Sequence, residues 1–312
     1  MHDSIYETLN LDIKRGLCDK RFWAVFGIFS FLFFLCIVLD WVRPLTQYYN
    51  GGLESYKYFP VPGHVARYEV EVLSELVLFV DFFPFVGAAA FSWVIMDDRR
   101  QGYSMQQIQR TGFTNYYRGK LAASGILGGI LGALCMISLC MLSLLLIDYL
   151  PFFREAVNYN VETFRQLFKP EQYSNYSIGW SSYRVYVSLA KHPWVWNFLV
   201  GGIKYFVMGT LYGLLAGIIA FCSDNRVLVY AGPVMGLFLW DGLVYMLDRL
   251  TESYSRAATV LDKFYLRGHM TEYGNLYHYC LLILFILILI FFAGRFRNRV
   301  ECRYMEGGMK NG

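Results

Sequence analysis

Residues 281–292 read LLILFILILIFF, an apolar run that no polar residue interrupts. With its flanks it forms a block over residues 277–294, and about 17–25 such residues cross the hydrocarbon core of a bilayer as a helix. Five more blocks of comparable length lie earlier in the chain. The six predicted spans cover residues 22–42, 74–96, 121–147, 197–221, 227–247 and 277–294.

The overall composition is that of a membrane protein. Of 312 residues, 56% are hydrophobic and 17% charged, whereas soluble domains are nearer half apolar and a quarter charged. The net charge of +4 is too weak to indicate nucleic-acid binding. None of the seven cysteines lies in a long polar loop, so neither a disulfide framework nor a metal site is expected. The predicted fold class is an all-α polytopic membrane protein with six transmembrane helices.

The distribution of Lys and Arg predicts the orientation of the chain. Fifteen of the 28 lie in the N-terminal segment, in the loop after span 2, in the short loop after span 4 and in the tail. These segments are shorter in total than the other three loops, and basic residues concentrate on the cytoplasmic side. Both termini are therefore predicted to be cytoplasmic. The other three loops are long and rich in aromatic residues, and they are predicted to face outward, where they form a cap or hold a substrate. They cover residues 43–73, 148–196 and 248–276.

The two ends of the chain are predicted to lie outside the six-span domain, which covers residues 22–294. Residues 1–21 are expected to form a cytoplasmic amphipathic helix, and residues 295–312 a basic cytoplasmic tail. The apolar stripe of the N-terminal helix consists of Ile5, Leu9, Ile13 and Leu17. Such a helix can lie in the headgroup layer, bind a cytoplasmic partner or simply lead into span 1.

Three of the ionisable residues in the predicted spans lie at a similar depth. Asp81, Lys204 and Asp241 are each six or seven residues from the outer end of their span, about 10 Å at 1.5 Å per residue. A lone charge at that depth costs a few kcal/mol, so one cation and two carboxylates at one level predict an intramembrane charge cluster. The alternative is that each side chain reaches the outer interface separately.

Spans 3 and 4 also carry glycines at four-residue spacing, which lets helix backbones approach closely. The contact lies either within one chain or at the seam between two copies of it. The predicted helix-packing residues are Gly125, Gly129, Gly209, Gly213 and Gly217.

The loop between spans 2 and 3 covers residues 97–120 and reads DDRRQGYSMQQIQRTGFTNYYRGK. It is too polar to enter lipid and too short to be a domain. Residues 104–110 can form two helical turns, with Gly102 and Gly112 as break signals on either side. The loop is either a docking site for a soluble subunit or a solvated connection whose basic residues set topology.

Several motifs resemble those of bacterial ATP-binding-cassette (ABC) exporter permeases of the second class. They are DIKRGLCDKRFW at 12–23, DDRRQG at 97–102, IQRT at 108–111 and YYRGKL at 116–121. The resemblance implies a multi-pass subunit of the bacterial cytoplasmic membrane that pairs with a second permease copy or a related permease. In such proteins the loop after span 2 is the coupling helix for a separate ATPase. The residues that the resemblance assigns to coupling are Asp97, Asp98, Arg99, Arg100, Met105, Ile108 and Arg110.

The resemblance also implies where the chemistry takes place. Two copies of an ABC ATPase would bind ATP and Mg²⁺, because this chain has no G-x-x-x-x-G-K-[ST] phosphate-binding loop. The chain itself is expected to be neither an enzyme nor a cofactor-binding protein, and the surrounding membrane lipid is an expected partner. The expected substrate is an amphipathic peptide or a lipid-linked molecule.

Two other classes of protein remain open. An intramembrane protease could use Ser124, but its serine needs a histidine at the same depth, and His278 is predicted near the opposite face. No H-E-x-x-H zinc motif occurs. A polytopic scaffold or receptor without a transport cycle is the other alternative.

Overall fold

The computed structural model describes residues 2–32, 34–35, 77–149, 199, 201–251 and 276–310. This part of the chain is helical and contains no strand, in agreement with the predicted all-α class. In chain order the helices are α1 His2–Cys18, α2 20–32 with 34–35, α3 Val77–Ala89, α4 Ser92–Arg100, α5 Tyr103–Thr111, α6 Phe113–Tyr149, α7 Gly202–Cys222, α8 Arg226–Thr251 and α9 Leu276–Lys310.

Three segments of the described helices are long and apolar enough to cross a membrane. They are Phe113–Leu139 in α6, Gly202–Cys222 in α7 and Arg226–Leu247 in α8. They coincide with predicted spans 3, 4 and 5, which supports the assignment to a membrane. Predicted spans 1, 2 and 6 fall on α2, on α3 with α4, and on α9. The six-span count, the cytoplasmic termini and the three domain boundaries stay predictions, and most of each outer loop lies outside the described residues.

Predicted span 2 differs from expectation because it is not one continuous helix. The chain turns at residues 90–91 between α3 and α4, and α4 then runs on to Arg100. At the break the Ser92 hydroxyl donates a hydrogen bond to the Ala88 carbonyl oxygen, 2.5 Å away. A side chain that binds a backbone carbonyl four residues back is a known cause of helix bending. α3 also contains Pro84, which cannot donate a backbone hydrogen bond.

The predicted short helix in the loop after span 2 is confirmed as α5. It lies between Gly102, with φ 72°, and Gly112, with φ 79°. L-residues with a side chain rarely adopt a positive φ, so glycine is the residue that allows both reversals. α5 is thereby a separate short element between α4, which has nine residues, and the long helix α6.

The core is built around α6 and α7, which pack along each other. α7 also lies against α3, α8 and α9, and α1 packs on α6. The largest side chains with almost no exposure come from four of the helices, α2, α3, α6 and α7, and from the α3–α4 turn. They are Tyr116, Tyr205, Tyr212, Phe22, Phe83, Phe91, Lys120, Lys204 and Phe221. Two lysines in that group are unusual, because lysine is almost never fully buried unless it is paired.

Candidate functional site

Lys120 stands at the centre of a buried group of ion pairs, which we call the charged junction: Asp12, Arg15, Asp98 and Lys120. The Lys120 Nζ lies 2.6 Å from Asp12 Oδ1 and 2.6 Å from Asp98 Oδ2. Arg15 Nη1 lies 2.6 Å from the other oxygen of Asp98. The side chains of Asp12, Asp98 and Lys120 are 0% exposed and that of Arg15 is 34% exposed. Two cations and two carboxylates therefore balance inside the protein.

Small residues on α1 allow the short Asp12 side chain to reach Lys120. The face of α1 that meets α6 carries Thr8, Asp12 and Gly16, all buried and spaced by four residues. A Cβ added at Gly119 of α6 would lie only 3.2 Å from the Thr8 methyl carbon, so the two helices touch there. Because the approach is close, an aspartate rather than a longer glutamate completes the ion pair.

The predicted apolar stripe lies beside this face. Leu9, Ile13 and Leu17 are half-buried and pack against the core, and Ile5 has no described side chain. The structure thus shows α1 lying on the protein's own α6, and the three uses considered for this helix stay predictions.

Aromatic rings flank the buried lysine of the charged junction. Lys120 Nζ lies 5.7 Å from the ring centroids of both Phe91 and Tyr116, within the range of a cation–π contact. Burial raises the pKa of Asp12 above its ordinary value, and the attraction of Lys120 opposes that rise. The second oxygen of Asp12, Oδ2, has no hydrogen-bond partner among the described residues. Asp12 is therefore the member of the junction whose hydrogen-bonding capacity is least well satisfied.

A second set of ion pairs surrounds α4 at the same end of the bundle. Asp97 is 2.7 Å from Arg21 of α2 and 3.2 Å from Arg226 of α8. Arg99 pairs with Asp224 and donates a 2.9 Å hydrogen bond to the Ser223 carbonyl oxygen.

Across both sets, the DDR sequence at 97–99 ties α4 to α1, α2, α6, the α7–α8 turn and the start of α8. The resemblance to permeases assigned these three residues to contact with an ATPase. In the structure their described contacts are within the chain.

The remaining predicted coupling residues divide into two faces. Ile108 is 8% exposed and Met105 is half-buried, and both pack against the core. Arg100 and Arg110 are exposed. The face of α5 that points away from the protein is formed by Gln106, Gln109 and Arg110.

The predicted packing glycines bring the backbones of α6 and α7 into contact within one chain. A Cβ added at Gly129 would lie 2.8 Å from the Phe206 carbonyl oxygen, and one added at Gly209 would lie 2.9 Å from the Gly128 carbonyl carbon. Real Cβ atoms essentially never come within 3.0 Å of such atoms. We call this contact the glycine interface; its members are Gly125, Gly128, Gly129, Gly132, Gly209, Gly213 and Gly217.

Ser124 contributes a hydrogen bond to the glycine interface. Its hydroxyl donates to the Gly213 carbonyl oxygen at 2.7 Å, and the side chain is fully buried. A Cβ added at Gly213 would lie 3.2 Å from the Ser124 carbonyl carbon. This bond gives Ser124 a packing role between two helices. The side chain of His278, which the protease alternative would need, lies outside the described residues.

The predicted intramembrane charge cluster is described only in part. Lys204 in α7 is 1% exposed and Asp241 in α8 is 8% exposed, so both charged groups are buried between helices. The Asp81 side chain lies outside the described residues. Pairing of Lys204 with Asp81 or Asp241 stays a prediction.

Comparison with protein-family models, with curated proteins and with solved structures finds no match to this chain. The resemblance to ABC exporter permeases therefore stays a prediction that rests on the quoted motifs. Among the described residues, no group of three or more His, Cys, Asp or Glu side chains is placed to hold a metal ion.

The sequence interpretation missed three members of the charged junction: Asp12, Arg15 and Lys120. A usable signal was present in α1, where Thr8, Asp12 and Gly16 repeat a small or short side chain every four residues. That spacing predicts a close helix contact, and a carboxylate in the middle of it requires a buried cation as partner.

Proposed function

We propose that this chain is the membrane-spanning permease subunit of an ATP-driven exporter, and that α5 is the surface on which a separate ATPase acts. The observation that carries the proposal is the form of α5. It is a nine-residue helix between Gly102 and Gly112, it joins α4 to the long helix α6, and it presents a polar outer face. A separate rigid element of that kind suits a docking site for a moving partner.

The ion pairs around α4 support a mechanical role for the segment. α5 is joined to α4 through residues 101–102 and to α6 through Gly112. Lys120 bonds α6 to both α1 and α4 through Asp12 and Asp98. A force applied to α5 would therefore move α1, α4 and α6 together as one body, which is the form of motion that alternating access requires.

This arrangement divides the predicted coupling residues by role. Arg110, together with Gln106 and Gln109, would touch the ATPase. Asp98 and Arg99 would transmit the motion through their internal ion pairs. Met105 and Ile108 would anchor α5 to the core, so a substitution there tests folding rather than docking.

The test is co-expression of the full chain with its neighbouring genes, followed by purification and a search for an ATPase that co-purifies. Gln106→Glu combined with Arg110→Glu changes only exposed side chains, so the permease should fold normally. Loss of a central contact typically weakens binding at an interface by about 30-fold or more. The affinity of the double variant for the ATPase should fall by a similar factor. Arg295→Glu, an equal charge reversal at an exposed position of α9, should leave binding unchanged.

Retention of the ATPase by a correctly folded double variant would exclude α5 as its docking site. If no ATPase co-purifies even with the intact chain, the exporter proposal fails, and a scaffold or receptor becomes the better description. Substrate export, of an amphipathic peptide or a lipid-linked molecule, is to be measured in vesicles that contain the permease and the ATPase together.

A further inference from the structure

A cleft of about 410 Å³ lies between α6, α7 and α9. That volume is within the range of about 300–1,000 Å³ found for small-molecule sites. Its floor is apolar and buried, formed by Leu121, Leu214 and Ala293, which are 3–8% exposed. The Tyr117 hydroxyl donates a hydrogen bond to the Ala293 carbonyl oxygen at 3.0 Å. The one tyrosine hydroxyl in the lining is therefore already used as a donor within the protein. The body of the cleft therefore favours a hydrocarbon.

Two arginines line the same cleft, Arg118 from α6 and Arg297 from α9. Arg118 is exposed, and within the described part of the chain Arg297 donates only to its neighbour Asn298, at 3.2 and 3.3 Å. Among the described residues neither arginine has a carboxylate partner. Each lies three residues outside a predicted span, about 4.5 Å at 1.5 Å per residue, which is headgroup level. The cleft thus combines hydrocarbon walls with two cationic groups at one depth of the membrane.

We propose that this cleft binds an anionic phospholipid, with an acyl chain along the apolar floor and the phosphate between Arg118 and Arg297. Arginine matches phosphate oxygens with two parallel N–H donors, and basic pockets between transmembrane helices recognise anionic headgroups. A neutral zwitterionic lipid would fill the same apolar space but would bring no net charge to two arginines that lack a carboxylate partner. The proposal depends on the membrane location and not on the ATPase.

The test is native mass spectrometry of the delipidated full chain, titrated with dioleoylphosphatidylglycerol or with dioleoylphosphatidylcholine. The phosphatidylglycerol should bind more tightly. Arg118→Gln and Arg297→Gln should each weaken its binding about fivefold, and together about 30-fold, with the phosphatidylcholine affinity unchanged. Arg295→Gln removes the same charge from an exposed position that does not line the cleft, and it should have little effect.

A second variant tests the apolar part of the site without removing charge. A Cβ added at Gly294 would meet no atom within 4 Å, and Gly294 lines the cleft. Gly294→Leu should therefore fill the space while the helices keep their positions, and should reduce phosphatidylglycerol binding. Unchanged binding by this variant would overturn the proposal.

Two further results would also overturn it. If Arg295→Gln weakened phosphatidylglycerol binding as much as Arg118→Gln, the lipid would be attracted by charge in general and not bound at a site. Full competition by inorganic phosphate alone would show an anion site with no lipid specificity.

Discussion

The charged junction and the glycine interface are both buried, and they lie about one turn apart on α6. At Lys120, α6 is held to α1 and α4 by ion pairs of 2.6 Å. From Ser124 onward it is held to α7 by direct backbone contact. The first contact depends on charge balance, because removing one member leaves a buried charge without a partner. The glycine interface depends on the absence of side-chain atoms at its glycines, and charge plays no part in it.

The largest effect should come from Lys120→Met, which removes the cation shared by two carboxylates. Breaking a buried ion pair in this way costs about 3–5 kcal/mol of unfolding free energy. Arg15 still neutralises Asp98 in this variant, so Asp12 becomes the unpaired charge. The loss is to be measured by chemical denaturation of the protein in detergent.

The same reasoning predicts an asymmetric rescue. Adding Asp12→Asn to Lys120→Met should recover most of the lost stability, whereas adding Asp98→Asn should recover little and should leave Arg15 without its carboxylate. Equal rescue by both would contradict the assignment of Asp12 as the residue that depends solely on Lys120.

A smaller effect is expected at the glycine interface. Gly213→Ala would press a methyl group against the Ser124 backbone, and overpacking of this kind costs about 1–3 kcal/mol. Gly242→Ala is the matched control, since no atom lies within 4 Å of the added carbon. The control should be neutral or up to about 1 kcal/mol more stable through helix propensity. Similar losses for the two variants would show that space at Gly213 is not the limiting factor.

The smallest effect should be a pH dependence confined to the charged junction. The raised pKa of Asp12 means that the folded protein favours its protonated form. That contribution to stability is present below the ordinary aspartate pKa of about 3.9, and it is lost as pH rises through the raised value. The effect is small because Lys120 opposes the rise.

Asp12→Asn cannot ionise, so its stability relative to the wild type should improve as pH increases over that interval. The difference in unfolding free energy between Gly213→Ala and the wild type should stay constant over the same pH range. A constant difference for Asp12→Asn as well would contradict the role of burial in setting that pKa.

Local signals in the sequence were enough to predict part of the fold. Predicted spans 3, 4 and 5 match the membrane-compatible helices because their apolar runs are long. α5 was predictable because Gly102 and Gly112 mark both of its ends. The break at residues 90–91 was missed because Ser92 lies in an otherwise apolar stretch, and its bond to Ala88 leaves no mark in the composition.

The candidate site was less accessible to sequence reasoning. Lys120 meets Asp98 across 22 positions and Asp12 across 108, and no periodicity connects residues that far apart. The glycine spacing predicted a close helix contact, but it could not tell whether the second helix belonged to the same chain. Asp97 and Arg99 were predicted to couple to an ATPase, and the sequence could not show that they also form ion pairs within the chain.

The long separation of Asp12 and Lys120 also fixes an order of events during synthesis. The ion pair cannot form until residue 120 has been made, 108 residues after Asp12. At about 5–20 residues per second, the nascent α1 waits roughly 5–20 s with its aspartate exposed to water. Docking of α1 therefore follows the synthesis of residue 120, but it can precede the glycine interface, because α7 begins only at Gly202.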